Sequence, residues 1–159
     1  MVLILGGPNK YYDYTDQNLT KVFNQVRKVL EENKLQMIVI PSMRTPNKII
    51  DLANDYFGKE HLVIKNVDKK AYLSGLSLAK YIIVTCDSTS MISEATLTGK
   101  PIYIAEIPAK KNDYRFKNFR ELFSRLNIIK NLDEKLEIWN YESLDETNRI
   151  AKEIKKKIF

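Results

Sequence analysis

The sequence predicts an α/β domain built on a parallel sheet, and three observations support this fold class. Short β-branched apolar runs recur near residues 2–5, 35–40, 62–65, 81–85 and 102–105. Segments with helical apolar spacing separate these runs, and the connections between them are short. Strands that alternate with helices in this way pair in parallel through right-handed crossovers. We therefore expect a single Rossmann-like, three-layer domain over residues 1–159, with about five strands in the order 3-2-1-4-5.

Three helices are expected in the first half of the chain. Asp16 is a candidate N-cap for an amphipathic helix. The apolar stripe of this helix consists of Leu19, Val22, Phe23, Val26, Val29 and Leu30. Pro46 suits the first turn of a second helix over residues 47–57. Helical spacing that ends at Leu78 predicts a third helix before the strand at 81–85.

The second half of the chain is less regular. Residues 106–117 are rich in polar side chains and are expected to form a loop, and the apolar spacing from Phe116 to Leu126 predicts a helix. A charge-rich linker leads to Trp139. Residues 144–158 then predict a final helix with a basic tail.

The turn after the strand at residues 81–85 is the most informative stretch. It reads Asp87-Ser88-Thr89-Ser90, in which Asp87 or Ser88 can cap the following helix. Ligands of open α/β sheets bind at the carboxyl ends of the strands, where a helix N-terminus offers free N–H groups and about half a positive charge. A phosphate would therefore fit at Ser88, Thr89 and Ser90, although plain helix capping explains the same residues.

Glu94 lies four residues after Ser90, so both side chains point to the same side of the predicted helix. A carboxylate at this distance from the helix start suits the two adjacent hydroxyls of a ribose, whereas one closer to the start would repel phosphates. The alternative is a solvated glutamate. A capping box does not explain Glu94, because Met91 occupies the position that would need Ser or Thr.

Two further strand ends carry candidate anion-binding residues. Gly6 and Gly7 follow the first strand and allow close approach of a ligand, although a simple strand-exit turn explains them as well. Arg44 follows the second strand, within the stretch PSMRTP. Its planar guanidinium could grip a diphosphate with two hydrogen bonds, and a surface ion pair is the alternative.

The stretch VTCDSTSMISEATLTGKPIY resembles the signature of the mitochondrial-fission, elongated-mitochondria family and its bacterial homologues. That family is similar to the C-terminal, nucleotide-binding half of GT-B glycosyltransferases. The resemblance covers the whole chain and implies a donor-nucleotide site. Further positions that match the family pattern are Asn9, Lys10, Ser42, Arg44, Thr45 and Pro46. Met43 and Cys86 depart from it, since the family usually has Arg and Gly there.

Length and composition exclude several classes of protein. At 159 residues and 44% hydrophobic content, the chain can bury one sizeable core. Cys86 is the single cysteine, so an internal disulfide is excluded, and no apolar run approaches the roughly 20 residues of a membrane helix. His61 is the sole histidine, which argues against a histidine triad or metal site. We expect a cytoplasmic protein, with peripheral contact to the inner face of the membrane as an open alternative.

The leading prediction is a binding site for a nucleoside diphosphate or a nucleotide sugar, favoured by the net charge of +6. Its expected residues are Gly6, Gly7, Asn9, Lys10, Ser42, Arg44, Thr45, Asp87, Ser88, Thr89, Ser90 and Glu94. Asp87 is a difficulty, because its negative charge would lie beside the phosphate. It must either cap the helix or counter a cation that the sequence does not reveal. No catalytic residue, metal or cofactor is expected.

The resemblance places all 159 residues in the second of two domains. The acceptor site and the general base of a glycosyltransferase-like enzyme would then belong to a missing N-terminal domain, supplied in cis or in trans. We therefore expect the isolated chain to be inactive in glycosyl transfer.

The alternative function is a non-catalytic scaffold that binds a protein partner or an acidic membrane surface. The resemblance implies this class, because eukaryotic members of the family are thought to recruit a dynamin-related fission protein. Candidate surfaces are the basic loop at residues 110–120 and the tail at residues 155–157. Nucleic-acid binding rests on net charge alone and is not expected.

Overall fold

A parallel sheet organises the computed structural model, which describes residues 1–133 and 135–158. Within these residues, the strands are β1 (Val2–Leu5), β2 (Ile38–Pro41), β3 (Leu62–Val63), β4 (Ile82–Thr85), β5 (Ile102–Ala105) and β6 (Ile129–Asn131). They lie in the order β3-β2-β1-β4-β5-β6, and every neighbouring pair is parallel. The α/β class and the order of the first five strands are therefore confirmed.

Helices connect the strands in sequence. They are α1 (Asp16–Asn33), α2 (Asn47–Phe57), α3 (Lys69–Leu78), α4 (Thr89–Thr96) and α5 (Tyr114–Arg125), followed after β6 by α6 (Glu146–Ile158). All six residues of the predicted apolar stripe of α1 are buried. The prediction of Asp16 as N-cap is wrong, because the Thr15 side chain accepts a hydrogen bond from the Asn18 amide at 3.2 Å and Asp16 is the first helical residue.

The core lies on both faces of the two central strands. Each residue of β1 and β4 is buried, and Val2 faces Ile38 on one side and Ile82 on the other. Strands that are covered on both faces are continuously apolar, which is why these runs were recognisable in the sequence. Full burial of one such aliphatic side chain contributes about 1.5–3 kcal/mol.

The sixth strand was not predicted, because only a charge-rich linker was expected before Trp139. It is three residues long, and only Ile129 of the three is buried. Its backbone pairs with β5 at the edge of the sheet, from Ile102 opposite Ile129 to Ile104 opposite Asn131. An edge strand with polar side chains carries little of the apolar signal that marks central strands.

α6 differs from the other helices in that none of its described residues is buried. Ile150, Ile154 and Ile158 are all about half exposed or more. They recur every four residues and so form one apolar stripe, with basic side chains in the last turn at Lys155–Lys157. Among the described residues, no helix combines the length and apolar character needed to cross a bilayer.

Candidate functional site at the carboxyl ends of the strands

Asp87 forms the junction between the loops that follow β1, β2 and β4. Its carboxylate is buried, and its Oδ2 atom accepts hydrogen bonds from the Gly7 amide and from Arg44 Nη2, each at 3.0 Å. Its Oδ1 atom accepts from the Tyr14 hydroxyl at 2.6 Å. These contacts answer the difficulty raised by the sequence, because Arg44 is the cation that counters Asp87.

The helix cap of α4 is Ser88 and not Asp87. The Ser88 hydroxyl accepts from the Met91 amide at 3.4 Å. Thr89 and Ser90 occupy the first turn, where backbone N–H groups have no partner within the helix. Ser88 and Thr89 are half-buried and Ser90 is exposed, so this turn faces solvent beside the Asp87 junction.

Gly6 and Gly7 are explained by close approach within the protein itself. A Cβ atom on Gly6 would lie 2.1 Å from Asp87 Oδ2, and one on Gly7 would lie 2.1 Å from the Arg44 carbonyl oxygen. The Gly6 amide also donates to the Thr85 hydroxyl at 2.8 Å. Both positions therefore require glycine for internal packing, whether or not a ligand approaches them.

The loop after β2 is anchored to the loop after β1. The buried Thr45 hydroxyl lies 3.0 Å from the Leu5 carbonyl oxygen and accepts from the Ser42 amide at 2.9 Å. Arg44 donates through Nη1 to the Gly7 carbonyl at 2.8 Å and through Nη2 to Asp87. Two of the five guanidinium donors are thus engaged, while the side chain is 41% exposed. Arg44 can still contact an anion, but Asp87 cancels much of its charge.

Asn9 and Lys10 differ in their surroundings. The Asn9 amide nitrogen donates to the Asp87 carbonyl at 3.1 Å, and its oxygen accepts from the Tyr11 amide at 2.7 Å. Asn9 therefore holds the β1–α1 loop in shape. Lys10 is exposed, with its ammonium group 5.5 Å from the centroid of the Tyr11 ring.

Glu94 is exposed on α4 and meets Tyr72 of α3. The Tyr72 hydroxyl donates to Glu94 Oε2 at 2.6 Å. Burial raises the pKa of Tyr72, and the hydrogen bond to Glu94 raises it further, so the phenol stays protonated. The two side chains border a groove of about 720 Å³ between α3 and α4, with apolar walls that include Leu73, Leu76 and Leu97.

A second polar cluster, which the sequence analysis missed, joins the loop after β5 to the loop after β1. Arg120 donates to the Tyr12 hydroxyl at 3.0 Å, and its Nε atom lies 3.3 Å from Glu106. The Tyr12 hydroxyl donates to Asp113. Arg120 lies in the basic stretch at residues 110–120 that was expected to form an interaction surface, yet its side chain is only 13% exposed. Tyr12 and Asp113 are 101 residues apart, so no local pattern in the sequence indicates this cluster.

Tyr14 also takes part in the site, although it was not among the predicted site residues. Its hydroxyl bridges Asp87 and the Thr85 hydroxyl, which lies 2.8 Å away. Burial raises the pKa of Tyr14 well above its ordinary value, and the charge of Asp87 adds to the shift.

Taken together, the sheet order and the loops at its carboxyl edge define a Rossmann-like domain of the GT-B type. Two solved structures share this fold. The S. aureus MnaA–UDP co-structure has a TM-score of 0.58 and 14% sequence identity, and the match covers 96% of this chain and 36% of that one. UDP-GlcNAc 2-epimerase from Neisseria meningitidis bound to UDP-GlcNAc has a TM-score of 0.52 and 10% identity, with 97% and 35% covered.

The chain belongs to the mitochondrial fission ELM1 family, whose model matches residues 1–158. It is 29% identical over 160 residues to the uncharacterized protein RP120 of Rickettsia prowazekii (strain Madrid E), covering 96% of this chain and 45% of that protein. It is also 25% identical over 122 residues to mitochondrial fission protein ELM1 of Arabidopsis thaliana, covering 74% of this chain and 28% of that protein. The chain thus spans less than half the length of these relatives.

Proposed function

We propose that this domain binds a nucleoside diphosphate or a nucleotide sugar at the carboxyl edge of β1, β2 and β4. The observation that carries this proposal is the pairing, on one helix, of an open N-terminal turn at Ser88–Ser90 with a carboxylate at Glu94. Glu94 is four positions after Ser90 in the helix, which corresponds to a rise of about 6 Å. A nucleotide carries its ribose next to its phosphates, so this spacing between the free N–H groups and the carboxylate supports a nucleotide ligand.

The charges at the site support an anionic ligand. Arg44 neutralises Asp87, so the carboxylate that immediately precedes the α4 N-cap is compensated. The dipole of α4 and the exposed Lys10 then contribute positive potential on the solvent side. Solved structures with this fold contain UDP or UDP-GlcNAc, which supports a nucleotide-sugar ligand of the same class here.

We further propose that turnover requires a second domain. The described part of the chain presents one face of a site, and the relatives are more than twice as long as the matched segment. Positioning of two substrates is worth roughly 7–11 kcal/mol of barrier, most of which a one-sided site forfeits. Release of sugar from a labelled nucleotide sugar is therefore expected at the buffer rate for the isolated chain, and acceptor-dependent turnover by this chain alone would contradict the proposal.

Calorimetry with uridine, guanosine and adenosine diphosphates tests the binding proposal. Glu94→Ala removes a charged acceptor that would bind the ribose. It is expected to raise the Kd of the diphosphate that binds most tightly to the wild type by about tenfold or more. Glu32→Ala is the matched control, because Glu32 is also an exposed helical glutamate but lies on α1. Absence of heat for all three diphosphates at millimolar concentration would contradict the proposed function. Equal affinities of Glu94→Ala and Glu32→Ala would contradict it as well.

A second candidate function is an interaction scaffold, and the exposed apolar stripe of α6 favours it. Ile150, Ile154 and Ile158 present this stripe, and Lys155–Lys157 add positive charge next to it. Such a helix can dock on a protein partner or lie on an acidic membrane, which fits a cytoplasmic protein with peripheral membrane contact. Sedimentation with anionic vesicles, compared between the wild type and Ile154→Glu, tests the membrane version. Equal sedimentation of the two proteins would contradict it.

A further inference from the structure

The hydrogen bond between Tyr72 and Glu94 joins two neighbouring helices at the edge of the proposed site. Tyr72 lies in the first turn of α3 and Glu94 lies in α4, 22 residues further along the chain. The distance of 2.6 Å between Oη and Oε2 is typical of a strong hydrogen bond to a carboxylate. The contact therefore sets the direction of a long side chain that is otherwise exposed to solvent.

Tyr72 is itself held in place. Its ring is half-buried in the α3–α4 groove, where Leu73, Leu76 and Leu97 supply apolar surface. Because Tyr72 has two side-chain torsions and Glu94 has three, the tyrosine is the more rigid member of the pair. Tyr72 engages Oε2, so Oε1 and one lone pair of Oε2 stay available to other donors.

We propose that Tyr72 is a positioning residue, which orients the Glu94 carboxylate to accept both hydroxyls of a ribose and so makes the site selective for ribonucleotides. This inference rests on the proposed nucleotide-binding function and deepens it. Without Tyr72, the Glu94 side chain would have to be ordered when the ligand binds. Immobilising one such side chain costs affinity by about two- to tenfold, and a carboxylate that is already oriented avoids this cost.

The test is calorimetry with UDP and with 2′,3′-dideoxy-UDP on Tyr72→Phe and the wild type. Phe keeps the ring in the groove and removes only the hydroxyl. We expect Tyr72→Phe to raise the Kd for UDP by about two- to tenfold. The Kd for 2′,3′-dideoxy-UDP should not change, because that ligand has no ribose hydroxyl for Glu94 to accept from. Tyr114→Phe is the matched control, since Tyr114 is exposed on α5, and it should bind both ligands as the wild type does.

Each other outcome has a distinct meaning. If the wild type binds UDP and Tyr72→Phe binds it equally well, the positioning role is wrong while the proposed function stands. If Tyr72→Phe weakens the binding of UDP and of the dideoxy ligand by the same factor, Tyr72 stabilises the α3–α4 groove and does not act through the ribose contact. That result also overturns the inference. If the wild type binds neither ligand, the proposed function fails and this inference fails with it.

Discussion

Replacement of Asp87 tests whether this carboxylate holds the strand-end loops together. Asp87→Ala leaves the buried Gly7 amide without its acceptor and removes the ionic partner of Arg44, whereas the Tyr14 hydroxyl keeps its contact with Thr85. An unsatisfied buried donor costs about 1–3 kcal/mol and a hydrogen bond to a charged group about 1.5–3 kcal/mol. Arg44 is partly exposed, so solvent screens its ion pair with Asp87 and reduces the contribution of that pair. We therefore expect Asp87→Ala to lower the free energy of unfolding by about 3–5 kcal/mol.

Asp87→Asn should cost less, about 1.5–3 kcal/mol, because its carbonyl oxygen can still accept from Gly7 and Arg44 while its amide donates to Tyr14. Urea unfolding followed by circular dichroism measures both values, with exposed Asp51→Ala on α2 as the matched control. Tyr14→Phe should destabilise the wild type more than it destabilises Asp87→Ala, since its partner is already absent there. A cost below about 1 kcal/mol for Asp87→Ala, or one equal to that of Asp51→Ala, would refute this account.

Two further predictions concern the same region. Gly7→Ala should destabilise the domain by about 1–3 kcal/mol or more in urea, because its Cβ atom would lie 2.1 Å from the Arg44 carbonyl oxygen; a neutral effect would show that the loops separate easily. Thermal stability should also fall as the pH rises above 9. Burial raises the pKa of the Cys86 thiol from 9.0 to about 12, so the unfolded chain loses this proton before the folded one and stability falls by about 1.4 kcal/mol per pH unit. Melting curves from pH 7 to 11 check this, and Cys86→Ala should remove the part that begins near pH 9.

The central strands of the sheet could be predicted from the sequence, because strands that are buried on both faces consist of continuous apolar residues. The runs that became β1 and β4 are continuously apolar, and α2 was placed at residues 47–57 by a proline at its start. The edge strand β6 could not be found this way, because two of its three residues, Lys130 and Asn131, are polar and leave no apolar run in the sequence. Periodicity reports burial, so it fails where a strand is short and its side chains are polar.

The polar contacts of the site were out of reach for a different reason. Asp87 and Tyr14 are 73 residues apart, and nothing local to either residue indicates the other. The sequence did identify most of the loops that meet, because they follow the strands of a parallel sheet. It could not separate residues that face solvent, such as Lys10 and Ser90, from residues engaged inside the protein, such as Asn9.

The position of β1 in the sheet has a consequence for how the chain folds. Val2 pairs with Ile38 of β2 on one side and with Ile82 of β4 on the other. The edge of β1 that faces β4 therefore stays unpaired until a strand that begins 80 residues later has been made. At ordinary rates of synthesis, those residues take roughly 4–16 s to appear. During that time an apolar strand keeps a row of unpaired N–H and C=O groups, which makes nascent chains prone to association with one another. Closure of the sheet between β1 and β4 is therefore expected to set the folding rate, and chaperones should act before residue 85 emerges.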